Sequence, residues 1–221
     1  MGRLKRFLNP VRWTNLRTLK PVSRVFGLDR GTPVDRFYIE KFLRQNERFI
    51  KGRVLEIGDS TYTTRFGSAV EKSEVLHYAE GYPGATIVGD LTKTETLPEK
   101  FADCFICTQT LNFIYDFGKA VDGIHFILKE GGTALVTLAG LSQISRYDMD
   151  RWGDFWRFTD LSAKKLFEGK FAPENIVVEP HGNVLTAVAM LHGITKEELT
   201  QEELETSDQD YQIVITVRVT R

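Results

Sequence analysis

The sequence predicts an α/β domain whose mainly parallel sheet is covered by helices on both faces. Three observations lead there. Short apolar runs bounded by Gly, Pro and acids alternate along the chain with stretches of helical spacing, the pattern of strands joined by crossover helices. The chain has 221 residues, enough for one such domain and tight for two. Hydrophobic residues make up 42% and charged residues 27%, an ordinary globular balance that excludes a fibrous or largely disordered protein.

The elements follow in order. In GLDRGTPVDRFYIEKFLRQNERFIKG, Asp29 or Thr32 can cap a helix and Pro33 suits its first turn. Phe37, Ile39, Phe42, Leu43 and Phe49 supply its apolar positions, and Gly52 is expected to stop it. Arg53–Gly58 (RVLEIG) reads as a buried strand running into a tight turn. Glu74–Tyr78, Ala85–Val88, Asp103–Cys107 and Thr133–Leu138 are the next strands. A helix is predicted over Phe117–Leu128, with Lys129-Glu130-Gly131-Gly132 as its stop. Helices over Leu161–Phe167 and Asn183–Leu191 flank a sixth strand at Asn175–Val178, and Tyr211–Thr220 is a long last strand. Lys196–Asp210, rich in acids, reads as a solvated helix and loop. Neither an internal repeat nor a linker interrupts residues 31–221, so they are expected to form a single domain.

The net charge of −1 hides a division. Residues 1–30 carry eight Lys/Arg against one acid, Asp29, a net of +7, so residues 31–221 carry −8. A basic arm precedes an acidic body. The arm suits phosphate, an anionic membrane face or an acidic partner, or it lies solvated while Leu4, Phe7, Leu8, Trp13 and Leu16 pack on the domain. The acidic body argues against a nucleic-acid track. No apolar run reaches the roughly 18–20 residues of a spanning helix, and the N-terminus lacks the pattern of a secretory signal. With only Cys104 and Cys107 there is no disulfide framework, and a cytoplasmic location is expected.

In open α/β sheets ligands bind beyond the carboxyl ends of the strands. The first such turn here is Glu56-Ile57-Gly58-Asp59-Ser60-Thr61-Tyr62, where Gly58 lets a ligand approach the backbone and Glu56 can accept hydrogen bonds from an ammonium group. VLEIG is followed, in order, by Gly89-Asp90-Leu91, Ala102-Asp103 and Leu128-Lys129-Glu130-Gly131-Gly132. Together these resemble the class I S-adenosylmethionine-dependent methyltransferases over about residues 52–140. RGTPVDRFYIEKFL, TQTLNFIYD and SQISRYDMDRWGDFWRFT extend the likeness to the C-terminus. They resemble a bacterial methyltransferase group associated with glycosyltransferases and surface-polysaccharide synthesis.

The resemblance implies a Rossmann-like sheet with an antiparallel last strand and S-adenosylmethionine as cofactor; no metal ligands are assigned. It implies that Glu56, Gly58, Asp59 and Ser60 form the turn beside the methionine portion. Asp90 would meet the adenine amino group, the Leu91 backbone the ring, and Thr108 and Gln109 the region of the transferable methyl. Glu80 is the nearest acid for the ribose hydroxyls. Ser60 and Tyr62 stand where the family usually has glycines, and the helix between strands two and three is reduced to Gly81-Tyr82-Pro83-Gly84.

Methyl transfer to a hydroxyl needs alignment and a base within hydrogen-bond reach. Gln143–Thr159, after strand five, concentrates suitable groups: Tyr147, Arg151, Trp152, Trp156 and Arg157 for a sugar acceptor, Asp148 as the first candidate base and Asp154 as the second. Trp152 and Trp156 have the spacing of one helix face, but Trp152, Trp156 and Phe158 could equally be core. His181 is a candidate pocket residue, and His125 a structural one. Cys104 and Cys107 have CxxC spacing inside a strand, which puts them on opposite faces. Asp148-Met149-Asp150 has the DxD form of a divalent-metal site but little else to support one. The expected reaction is O-methylation of a sugar or glycan precursor. The alternatives are a small-metabolite methyltransferase, or a weakly catalytic module that docks a glycosyltransferase through the basic arm.

Overall fold

The computed structural model describes residue 14 and residues 17–221. Its sheet is built from β1 (Lys51–Ile57), β2 (Ala69–His77), β3 (Ile87–Val88), β4 (Ala102–Thr108), β5 (Leu128–Ala139), β6 (Ile176–His181) and β7 (Val214–Thr220). The order is β3-β2-β1-β4-β5-β7-β6. β1 to β5 pair in parallel, and β7 inserts antiparallel between β5 and β6. This is the Rossmann-like class I methyltransferase sheet that the sequence implies. From β1 the chain moves outward to β2 and β3, then returns to β4 on the other side of β1. The carboxyl ends of β1 and β4 therefore flank the switch point where such sheets bind ligands.

Helix α1 (Val34–Gln45) buries Val34, Tyr38, Ile39, Phe42 and Leu43, a helical stripe, against one face of the sheet. Pro33 occupies its N-cap position without a side-chain cap. Neither Asp29 nor Thr32 caps it: Asp29 accepts from the Ser23 hydroxyl, and the Thr32 amide donates to Glu197. Nor does Gly52 stop it. The helix ends at Gln45, where the Asn46 side chain closes onto the Phe42 carbonyl. Gly52 instead lies in β1 at φ +63, at a register shift that lets the Arg53 amide reach Asp103.

The central strands β4 and β5 are buried on both faces along most of their length, as the middle of a parallel sheet requires, whereas β3 and β6 at the edges stay partly exposed. Phe105 is fully buried, and Cys104 and Cys107 pack into separate clusters on the two faces, with Leu55, Phe105 and Val136 on the side of Cys107. Both thiols are pushed up by burial, Cys107 to about 12, so they are inert core groups. Helix α3 (Phe117–Ile127), capped by Asp116, covers one face. Its expected stop, Lys129–Gly132, lies inside β5, because Gly131 and Gly132 exchange backbone hydrogen bonds with Arg221 and so carry the pairing past the helix end. No helix joins β2 to β3; Gly81–Gly84 makes the turn, with Tyr82 stacked on His77 at 3.8 Å between centroids.

The remaining helices are α2 (Thr61–Phe66), α4 (Arg146–Met149), α5 (Asp160–Glu168), α6 (Val184–His192) and α7 (Gln201–Glu205). α5, α6 and α7 each begin with a reciprocal capping box. The short α2 and α4 carry too few turns to show a periodicity in sequence. Of the basic arm, residues 1–13, 15 and 16 lie outside the described residues, including Leu4, Phe7, Leu8, Trp13 and Leu16. The end of the arm returns to the domain, where Ser23 and Gly27 pack on Gly193 and Arg30 pairs with Glu198.

Candidate active site

Two regions meet at the carboxyl edge of the sheet. The first is the turn after β1. Glu56 is buried, and its oxygens accept from the Tyr62 amide (3.0 Å), the Thr63 amide (2.7 Å) and the Thr63 hydroxyl (2.7 Å). Burial pushes its carboxyl up, and the hydrogen bonds to Thr63 and Tyr62 oppose that rise. Glu56 thus fixes the start of α2 and shapes the turn. Asp59 holds the Thr61 amide. Gly58 has φ +86, and a Cβ added there would meet nothing within 4 Å, so the backbone faces open space. Tyr62 stacks on Phe66 and accepts from the Arg36 guanidinium at 3.0 Å. The turn is thereby tied to α1.

After β3, Asp90 turns one oxygen onto the amide and hydroxyl of Thr92 and sits 3.6 Å from the Lys93 ammonium. Partial burial works to raise its carboxyl, but these partners outweigh it and hold the group below the usual range. Leu91 is buried, with its carbonyl against Gly123 of α3, where a Cβ would come within 2.1 Å. Glu80 is exposed in the loop after β2. An open backbone at Gly58 and a partly exposed carboxylate at Asp90, both at carboxyl ends of the sheet, suit S-adenosylmethionine.

The second region is a cavity of about 300 Å³ at the ends of β4 and β5. Thr108, Gln109 and Asn112 line it after β4, and Ala139, Gln143, Ser145, Asp148, Asp154 and Arg157 after β5. Pro33, Asp35 and Arg36 at the start of α1 also line it. Gln109 has φ +48, an uncommon conformation for a side-chain-bearing residue, held by its amide bond to the Thr137 carbonyl. Such strain clusters at functional sites.

The segment after β5 is locked by Asp154. Its carboxylate takes a two-pronged guanidinium contact from Arg157 and the Ser145 amide at 2.9 Å, while Arg157 also reaches the Gln143 carbonyl. Burial works to raise Asp154, but Arg157, the Ser145 amide and the Asn112 side chain outweigh it and hold it below the usual range. Asp148 accepts from the Ser145 hydroxyl at the cap of α4, and Asp150 faces Arg146, so the DxD carboxylates have separate partners.

Trp152 and Trp156 do not share a helix face, because the chain from Arg151 to Thr159 is irregular. The Phe155 and Trp156 amides both bond to the Asn112 carbonyl, which pulls the segment off helical geometry. Trp156 packs on Phe117 and donates to the Tyr115 carbonyl, and Phe158 is core. Trp152 is 37% exposed and meets Tyr147 and Tyr78 edge to face. Tyr78 follows β2, so this contact carries the segment across the ends of β4 and β1. Arg151 lies over the Tyr147 ring. His181 lies away from the cavity lining, stacked on Tyr38 and bonded to Thr216, with burial pushing it down to about 4.

Asp35, Arg36 and Asn112 went unassigned in the sequence. The signal was present: all three lie inside RGTPVDRFYIEKFL and TQTLNFIYD, the segments that carry the more specific resemblance.

Comparison with known proteins agrees with the fold. Residues 40–136 match the family model described as a methyltransferase domain. A SAM-dependent methyltransferase from Archaeoglobus fulgidus superimposes with a TM-score of 0.54 at 13% identity, covering 84% of this chain and 94% of that one. One from Mesorhizobium loti gives 0.53 at 16%, covering 88% and 100%. Phosphoethanolamine N-methyltransferase 2 from Haemonchus contortus, solved with S-adenosyl-L-methionine, gives 0.53 at 14%, covering 82% of this chain and 52% of that one. No curated protein matches the chain. Among the described residues, no helix is long and apolar enough to cross a membrane.

Proposed function

We propose that this chain, an S-adenosylmethionine-dependent methyltransferase by its domain match and its fold, methylates a hydroxyl oxygen of a sugar or glycan precursor. The observation that carries this reading is the wall after β5. Exposed Tyr147, Trp152 and Phe155 belong to the segment whose Ser145, Asp148, Asp154 and Arg157 line the cavity, and they touch Tyr78 and Tyr115 from neighbouring loops. Aromatic faces next to carboxylate, amide and guanidinium groups match a sugar ring, which has apolar faces and a hydroxyl edge.

When bound, S-adenosylmethionine supplies the activated methyl group. In this reading Glu56, Gly58, Asp59 and Ser60 shape the turn for its methionine end, and Asp90 and Leu91 hold the adenine. Thr108 and Gln109 separate the two regions. Arg157 and Asp154 keep the acceptor wall in place, Asp148 contacts the acceptor's polar edge, Tyr147, Trp152 and Trp156 form its aromatic side, and Arg151 lies over the Tyr147 ring. In this reading that wall aligns the acceptor.

The test has two stages. S-adenosylmethionine or its demethylated product at millimolar concentration raises the melting temperature, because a ligand of the native state stabilises it. Radiolabelled methyl transfer to methyl glycosides then gives base-stable ethers. A melting shift with transfer confined to amines or to non-sugar alcohols rejects the sugar reading. Absence of any shift favours a docking module.

A further inference from the structure

We propose that Asp35, at the start of α1, is the general base that takes the proton from the acceptor hydroxyl, and that Asn112 positions that hydroxyl by accepting from a neighbouring one. This rests on the O-methylation reading above. Both residues line the cavity, one from the start of α1 and one from the segment after β4. Asp35 Oδ1 and Asn112 Oδ1 are buried and take no hydrogen bond. Buried polar atoms nearly always have partners, so two unpartnered oxygens in one cavity require an explanation. The Asn112 side chain helps hold the Asp154 carboxylate ionised, which turns its NH2 donors toward Asp154 and leaves the carbonyl oxygen free. Both atoms can then only accept. The ligand that satisfies them must donate, as adjacent sugar hydroxyls do.

The carboxylates nearer in sequence to the acceptor wall are already engaged. Asp154 is paired with Arg157 and held below the usual range, which makes it a weak base. Asp148 receives the Ser145 hydroxyl. Asp35 differs. Burial raises its carboxyl; the Arg36 guanidinium and the amides of the first turn of α1 oppose the rise without cancelling it. Arg36 is itself drawn to the Tyr62 hydroxyl on α2. From the other elements, the apolar Met190 of α6 and Ile213 before β7 and the charged Asp148, Asp154 and Arg157 line the same cavity.

In the step, the acceptor oxygen bonds to the methyl carbon as the sulfur–carbon bond breaks. The bonding pair stays on sulfur, which becomes a neutral thioether, and the hydroxyl proton passes to Asp35 Oδ1. The proton later exchanges with water.

The experiment uses the full chain with S-adenosylmethionine and a panel of methyl glycosides and amino sugars, and reads thioether product release from pH 5 to 9. Asp35→Asn should lower kcat for glycosides by about 10²–10⁴-fold. It should leave cofactor affinity unchanged and abolish the acidic limb of the pH–rate profile. Asp35→Glu should restore part of the rate, and Asp148→Asn should cost less than Asp35→Asn. Glycoside transfer by Asp35→Asn within threefold of the wild type, with the acidic limb intact, overturns the assignment while O-methylation stands. Wild-type transfer to the amino groups alone, or to no member of the panel, rejects the O-methylation reading. Independently of turnover, carboxyl NMR should show Asp35 titrating above the ordinary aspartate range, and an ordinary titration overturns its role.

Discussion

The turn after β1 and the cavity beyond β4 and β5 share one edge of the sheet but treat their polar groups in opposite ways. At the turn, both Glu56 oxygens accept from the backbone they organise, Asp59 holds the Thr61 amide, and after β3 Asp90 holds the Thr92 amide. In the cavity, Asp35 and Asn112 keep oxygens that nothing in the chain satisfies. The turn is therefore pre-formed, with Gly58 left bare for a ligand that approaches the backbone. The cavity holds unsatisfied acceptors in a buried place, which is costly for the fold and useful only if a donor arrives. In the proposed reading, the contrast separates a scaffold for the cofactor from a site where reactivity is stored.

Substitutions that disturb one region and spare the other sharpen this contrast. The largest stability effect is expected for Asp154→Ala, which strands Arg157 and the Ser145 amide; denaturant unfolding should show a loss of about 3 kcal/mol at neutral pH. Because the folded carboxyl is held below its ordinary value, the stabilisation is full above that value and fades as pH falls through the folded one. Gly123→Ala should cost about 2 kcal/mol, since its Cβ would press into the Leu91 carbonyl, and it should weaken cofactor binding through that loop. Unchanged cofactor affinity would detach Leu91 from the site. Asp90→Ala should weaken cofactor binding about tenfold with little effect on folding.

The smallest effect has the opposite sign. Asp35 is raised in the folded chain, so the unfolded chain releases its proton first and stability falls as pH climbs from the ordinary value of 3.8 through the raised one. Asp35→Asn should therefore stabilise the chain by about 1 kcal/mol at neutral pH. The gain should vanish below the ordinary value, as thermal melts across pH would show.

The two regions also differ in how far the sequence revealed them. The strands, their parallel order and the first turn were readable because each is local: an apolar run, a glycine, an acid at a strand end. Gly52 and Lys129–Gly132 misled for the same reason, since their roles are set by Asp103 and Arg221, partners far away in the chain. The Trp152–Trp156 spacing suggested a helix that the Asn112 carbonyl overrides. His181 reads as a pocket residue in sequence, yet its strand places it on Tyr38. The cavity combines residues near positions 35, 112 and 154, and no local pattern announces that Asp35 and Asn112 line it together.

The most direct test of the division is a calorimetric titration of S-adenosylmethionine into the wild type, Asp90→Ala and Asp35→Asn. The two-region account predicts weaker binding for Asp90→Ala and wild-type affinity for Asp35→Asn. Wild-type affinity for Asp90→Ala together with weakened binding for Asp35→Asn would contradict it, placing the cofactor in the cavity assigned to the acceptor.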